Sequence, residues 1–437
     1  MLNLISNRLS VTILGRILIN FQAAALGILL AGFFTKLEFG LFQQLSAAVM
    51  IALALTQFGL EIISQYSIVE DSENENELAI LFTILKIITC FLLIPILLLY
   101  YYFLDITKEV SLNIIIAFIG YSIFLSINRF ITNGLLIYLD KIKFSVVSLN
   151  ISAISKIIII FLIYLYAKID IFSVILGYFM VEISLCLFLL YRLSKSMIKH
   201  LRIQLLVVNV KRNSKHAFLQ YQDVVFSLLV SMYGGVFILS YFEDAETLAS
   251  YTFIMSIIQA VFFGTSINSV LEQIMISRLL RGKNASKNRL GINEVIEKIG
   301  VWAALSVICN LSYLCLLHFF LSTLDTFWLN NQYSHEVNII CILYLVLSMT
   351  AWQYHYNAFC IIDKRLDLVR SSGVISGITH LTALLVLVPI FGLAGALVSF
   401  LLACNVKWMY LHFKLRGPGI LTSAVRNLFV MLNDLLL

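Results

Sequence analysis

Apolar stretches of about 20 residues or more recur about twelve times along this chain, each long enough to cross a bilayer core. Short polar connections separate them. The pattern predicts spans at Ser10–Phe34, Gln43–Val69, Leu78–Leu104, Ser111–Leu139, Phe144–Ala167 and Ile171–Tyr191. It predicts six more at Phe218–Phe242, Thr247–Ser277, Lys298–Leu321, Val337–Ile362, Leu368–Pro389 and Gly392–His412. In hydrocarbon every backbone polar group must be satisfied inside its own helix or in a closed barrel. These runs are too long and too uniformly apolar for barrel strands, so the expected fold is all-α and integral to a membrane.

Composition agrees. Of 437 residues 61% are hydrophobic, 12% are charged and only 3 are proline. A soluble chain is about a quarter charged. The longest polar stretch, Ser194–Lys215, is a connector, which leaves no room for a large soluble domain. The seven cysteines all sit in apolar runs without metal-like spacing and read as packing residues. No metal site, cofactor or catalytic residue is expected. The start, Met1–Phe34, reads as a first span and not as a cleavable signal, because Arg16 interrupts it and its apolar run is long.

The connections alternate in charge. One set carries Arg8, Lys141 and Lys143, then the basic run Arg192–Lys215, Arg278–Lys298, Lys364–Arg370 and Lys414–Arg426. The other set carries only Lys36, Lys108 and Lys168. Basic connections stay cytoplasmic, so both termini of this multi-pass chain are expected inside. The acidic Glu70–Glu77 loop is the exception on that side. The net charge of +6 reflects inner loops meeting anionic lipid, not nucleic acid.

The basic connector divides the spans six and six, and the halves echo each other. Glu38-Phe39-Gly40-Leu41 matches Glu246-Thr247-Leu248-Ala249, Leu60-Glu61 matches Leu271-Glu272, and Asp140-Lys141 matches Asp363-Lys364. The expected organisation is a six-helix bundle at 1–193, a connector at 194–216, a second six-helix bundle at 217–413 and an interfacial tail at 414–437. Six spans per half make this a parallel repeat, as in many transporters.

Charges inside spans are costly and mark function or pairing. The cations are Arg16, Lys86, Arg129, Lys156 and Lys407; the acids are Glu61, Glu182, Asp223 and Glu272. Residues equally far from a hairpin turn lie at one depth, because helices rise at a constant rate. Lys156 and Glu182 are level about Ile169 and are read as a structural pair rather than a proton relay. Their counterparts in the second half are Thr379 and Asn405. Arg16 and Glu61 are level about Leu37. Lys86 and Arg129 are level about Thr107, two cations with no acid in either span at that depth. Ser122, Ser126, Arg129 and Asn133 fall on one helical face, as do Ser145, Ser148, Ser152 and Ser155. Such stripes line a watery cavity or glue helices together. Asp223 with Ser227 and Ser231, and Glu272 with Asn268, are candidates for charge balance or ion coupling, alongside Glu61.

Gly15-Arg16, Glu38-Phe39-Gly40-Leu41 and Gln57-Phe58-Gly59-Leu60 resemble the opening of polysaccharide exporters of the multidrug/oligosaccharidyl-lipid/polysaccharide superfamily. Phe391-Gly392-Leu393-Ala394-Gly395-Ala396, before the last span, extends the likeness, which is nearest to Wzx-type O-antigen flippases. The resemblance implies a V-shaped fold of two bundles, like that of multidrug exporters of the same superfamily. It implies translocation of an undecaprenyl-diphosphate-linked oligosaccharide, an O-antigen or other lipopolysaccharide repeat unit, from the cytoplasmic to the periplasmic leaflet, with ion coupling. Polysaccharide polymerase and chain-length regulator enter as candidate partners. Arg16 stands where lipid-II flippases carry a first-span arginine. Arg16, Lys86, Arg129, Ser126 and Asn133 are then the candidate contacts for the lipid diphosphate, with Tyr121 and Tyr356 suited to sugars.

Two rivals stand. A drug or cation antiporter of the same superfamily favours a net acidic cavity, whereas the charges here are net basic. A membrane-embedded polymerase or acyltransferase needs an outer acid/base cluster, and Asp325, His335 and Glu336 form the only one.

Overall fold

A computed structural model describes residues 22, 25–103, 110–136, 139, 142–167, 169–194, 202–259, 261, 292–349, 356, 360, 366–415, 422 and 425–427. Among these residues the fold is helical throughout, without strands. Seven of the helices are long and apolar enough to cross a membrane, and three shorter apolar helices accompany them. The protein is an all-α, multi-pass membrane protein.

In chain order the helices are α1 Lys36–Leu55, α2 Leu60–Glu70, α3 Glu75–Cys90, α4 Leu93–Phe103, α5 Leu112–Arg129, α6 Ile142–Tyr166 and α7 Ile171–Ser194. They continue with α8 Ile203–Val230, α9 Met232–Phe242, α10 Ala245–Ile258, α11 Ile292–Phe327, α12 Ser334–Met349 and α13 Leu366–Lys414. A π-helix, Phe130–Leu136, extends α5.

Three expected spans are interrupted. Gln43–Val69 is α1 and α2, parted by a turn in which Phe58 (φ 44°) and Gly59 (φ 69°) are left-handed. Leu78–Leu104 is α3 and α4; Pro95 lacks the N–H that would bond the Phe91 carbonyl, and the helix parts at Phe91–Leu92. The seventh span breaks at Ser231, whose hydroxyl caps α9 through the N–H of Tyr233 at 3.3 Å. Spans eleven and twelve both lie in α13, where the chain turns at Gly392 (φ 53°). Ser376 Oγ then donates to the Ala403 carbonyl at 2.8 Å across the turn.

The chain separates into two compact units, Met1–Ala249 and Ser250–Leu437. The expected division at 194–216 leaves the seventh span with the second half. Here α8 packs on α2 and α9 packs on α1, so both belong to the first unit.

Two short motifs acquire a structural meaning. Thr35 and Glu38 form a capping box on α1: Glu38 N–H donates to Thr35 Oγ1 at 3.3 Å and Thr35 N–H donates to Glu38 Oε2 at 3.0 Å. At the repeat-related place, Asp244 Oδ1 accepts the N–H of Thr247 at 2.8 Å, and that bond holds the Asp244 carboxyl below its ordinary range. The two motifs also meet. A Cβ on Gly40 would lie 1.8 Å from the carbonyl oxygen of Ala245, so only glycine permits this approach.

The acidic Glu70–Glu77 loop is paired with the basic connector. Buried Glu77 accepts the backbone N–H of Arg202 at 2.6 Å and its guanidinium at 2.7 Å. Those bonds raise the pKa of Arg202. Arg212 lies 3.0 Å from Glu70. The two segments therefore share one side of the membrane, and the acidic loop neutralises part of the charge run beside it.

Candidate functional site

Three helix irregularities in the first unit each adjoin a charge. The α1–α2 break sets Glu61 in the first turn of α2, where helix polarity favours an acid. Backbone groups released by the break find partners. Thr56 donates its hydroxyl to the Leu53 carbonyl at 3.2 Å, and Tyr221 donates to the Leu55 carbonyl at 2.9 Å. Lys86 lies one turn before the α3–α4 break. Arg129 is the last residue of α5 before the π-helix. Broken membrane helices and π-turns recur at functional sites because they free backbone and redirect side chains.

Glu61, Lys86 and Arg129 are electrostatic neighbours. The Glu61 carboxylate lies within electrostatic reach of both cations, and Lys86 faces the Cys90 thiol as well. Glu61 packs on Gly134 of the π-helix, 3.4 Å from where a Cβ would stand. Gln57 Nε2 donates to Glu61 Oε1 at 3.4 Å. Lys86 is 1% exposed. Half-buried Arg129 donates Nη1 to the thioether of Met50 at 3.3 Å, a weak acceptor. The sequence placed no acid level with Lys86 and Arg129. The acid comes from a third helix, beyond a break that depth counting does not cross.

The stripe on α5 is altered. Ser126 is buried and hydrogen-bonded to Cys90, and Ser122 folds onto the Ile119 carbonyl at 2.7 Å. Asn133 is exposed and lies in the π-helix that follows Arg129. On α6, Ser145 donates to the Thr132 carbonyl at 2.8 Å and Ser152 to Glu182 Oε1 at 3.1 Å, so these serines join helices.

Lys156 and Glu182, level in the hairpin count, are joined at 2.5 Å. Asn128 Nδ2 donates to Glu182 Oε2 at 2.6 Å and to its carbonyl at 2.8 Å. The Lys156 ammonium also lies 5.3 Å from the ring centroid of Tyr121 and 5.4 Å from that of Tyr178. The pair is thus a closed cage of carboxylate, amide, hydroxyl and aromatic faces. The sequence reading missed Asn128, Ser152 and Tyr178 as its members; helical spacing from Lys156 and Glu182 marks Ser152 and Tyr178, each four residues earlier. The second-half couple differs: Asn405 donates to Leu401 of its own helix at 2.8 Å.

Arg16 and Glu272 lie outside the described residues, as does the side chain of Asp223. Lys407 stacks on Trp408 at 5.7 Å. Tyr356 is buried with its hydroxyl 2.6 Å from His412 Nδ1, and Tyr121 faces Lys156, so neither presents an open platform for a sugar. Asp325 and Glu336, expected on an outer loop, are engaged within the second unit. Asp325 accepts Tyr333 N–H at 3.0 Å and Ser334 Oγ at 2.6 Å at the start of α12, and Glu336 accepts Ser250 Oγ at 2.5 Å. His335 is exposed. Among the described residues no group of three His, Cys, Asp or Glu is placed to hold a metal.

No protein-family model matches the sequence, and no curated protein matches it. Solved structures do resemble it. The lipid II flippase MurJ in its inward closed conformation superposes with a TM-score of 0.67 at 14% identity, covering 98% of this chain and 92% of that one. An inward-facing multidrug resistance MATE family transporter of the MOP superfamily gives 0.59 at 14% identity, over 96% and 97%. The MATE multidrug transporter DinF-BH gives 0.59 at 14% identity, over 95% and 96%. At this identity the likeness establishes the fold.

Proposed function

We propose that a chain with this fold and this cluster is a transporter of anionic, lipid-linked glycan. In this reading it moves an undecaprenyl-diphosphate-linked oligosaccharide, an O-antigen or related repeat unit, from the cytoplasmic to the periplasmic leaflet of a bacterial inner membrane by alternating access. The six-and-six repeat and cytoplasmic termini belong to the same reading. The observation that carries it is Arg129. Its guanidinium has five N–H donors, yet among the described residues it meets one weak thioether acceptor, and Lys86 acts on the same carboxylate, Glu61. A diphosphate satisfies such donors by charge-assisted, bidentate hydrogen bonds. Arg16, Ser126 and Asn133 are the further proposed contacts, with Ser126 acting through Cys90 and Asn133 at the exposed rim. Polymerase and chain-length regulator are proposed partners.

Glu61 favours ion coupling. A carboxylate between two cations holds either a proton or a counter-charge, and substrate anion arriving at Arg129 and Lys86 competes with it. Asp223 and Glu272 are proposed as secondary balancing charges. A drug antiporter of the same fold is the second reading, and Glu61 is the residue that favours it.

Deletion of the gene, followed by an assay of lipid-linked oligosaccharide and surface polysaccharide, separates these. Repeat units trapped on the cytoplasmic side support a flippase. Unchanged polysaccharide with altered drug tolerance supports the antiporter.

A further inference from the structure

Helices α6 and α7 enclose a groove of about 590 Å³, separate from the Arg129 cluster. Its walls include Ser148, Ser152, Ser155, Ile158, Met180 and Phe188. Ile158 and Met180 are exposed although they lie within membrane-spanning segments, so the groove's rim faces hydrocarbon. Ser148 is 2% exposed, lines the groove, and has no hydrogen-bond partner among the described residues. An unpartnered hydroxyl turned into an apolar groove requires an acceptor or donor from elsewhere.

Toward the basic end the groove meets a built cation. Phe144 and Phe188 pack at 5.8 Å, and the exposed Arg192 guanidinium lies over both rings, at 5.9 and 5.8 Å. The groove thus presents, in order from the membrane edge inward, a pinned cation, a buried hydroxyl and an apolar channel. From Arg192 to Met180 is about 18 Å along α7, close to the thickness of one leaflet's hydrocarbon, about 15 Å.

We propose that this groove holds one anionic glycerophospholipid, its phosphate on Arg192, an ester carbonyl on Ser148 and an acyl chain along Ile158 and Met180. That order of groups is the order of such a lipid. A polyprenyl phosphate has no ester carbonyl and leaves Ser148 unsatisfied, so the occupant is distinct from the transported substrate. Ser152 forms the floor and bonds Glu182, so the bound chain covers the Lys156–Glu182 cage.

Delipidated full-length protein in detergent is titrated with palmitoyl-oleoyl phosphatidylglycerol, the matching phosphatidylcholine, diether phosphatidylglycerol and undecaprenyl phosphate, with adducts counted by native mass spectrometry. Phosphatidylglycerol binds about fivefold better than phosphatidylcholine, the contribution of one arginine beside an anionic lipid. Arg192→Gln removes that preference. The diester binds about fivefold better than the diether, and Ser148→Ala makes the two equal. Equal binding of phosphatidylglycerol and phosphatidylcholine, a preference that survives Arg192→Gln, or displacement by equimolar undecaprenyl phosphate would overturn the assignment. Matched melting curves of the lipid-free variants establish that each is folded. None of these readouts depends on transport.

Discussion

Arg129 Nη1 meets the sulfur of Met50 at 3.3 Å, and no oxygen acceptor reaches its guanidinium among the described residues. A half-buried arginine ordinarily acquires carboxylate or carbonyl partners. Here α5 ends and the π-helix begins at that residue, so the side chain leaves the helix where its register changes. Its remaining donors are those proposed to meet the ligand.

Arg129→Ala abolishes export while the protein inserts at native levels, because only a weak thioether contact is lost and Glu61 keeps Lys86 as a neighbouring cation. Arg129→Lys keeps the charge but loses the bidentate fork, and export falls about tenfold. Complementation of a deletion strain, with immunoblotting of membranes, reads both.

Glu61→Gln keeps the shape and the hydrogen bond from Gln57 but removes the charge between Lys86 and Arg129. Transport into vesicles then loses its dependence on an imposed ion gradient. Retention of the full dependence would remove Glu61 from the coupling step.

Lys156→Ala leaves a buried carboxylate held only by Ser152 and Asn128. Breaking a buried pair in this way costs about 3–5 kcal/mol. The melting temperature falls, and adding Glu182→Gln restores part of it. A double variant less stable than Lys156→Ala alone contradicts the pairing.

These residues also show what a sequence can and cannot locate. Lys156 and Glu182 are level because α6 and α7 run unbroken to the turn between them, so counting residues measures depth. Counting from Leu37 to Glu61 crosses the turn at Phe58 and Gly59, where the rise per residue is no longer helical. Counting from Arg129 to Asn133 crosses the π-helix. Helix existence was legible from hydropathy; the breaks were not, although Gly59 and Pro95 are their local causes. The packing of α8 and α9 on α2 and α1 is long-range and leaves no mark on the connector's composition.

Gly40→Val places a side chain against the Ala245 carbonyl, where even a Cβ would lie 1.8 Å away. The two motif segments separate, and the melting temperature in detergent drops by several degrees. Gly120→Ala, whose Cβ would meet only the edge of the Phe179 ring at 3.0 Å, costs less.

Asp244 accepts the Thr247 N–H and caps α10 best when ionised. The Thr247 N–H holds its folded pKa below the ordinary carboxylate value, so its contribution is complete above the unfolded pKa and disappears as pH falls through the folded value. Asp244→Ala lowers stability by about 1 kcal/mol at neutral pH. The difference from the native protein narrows below about pH 4. Melting curves across that range measure it.

The most direct test uses a deletion strain carrying native, Arg129→Ala or Arg129→Ala/Lys86→Ala protein, with the leaflet of its lipid-linked oligosaccharide determined. The account predicts that native protein returns repeat units to the outer leaflet, while both variants leave them on the cytoplasmic side at equal protein levels. Normal export by the double variant would contradict it.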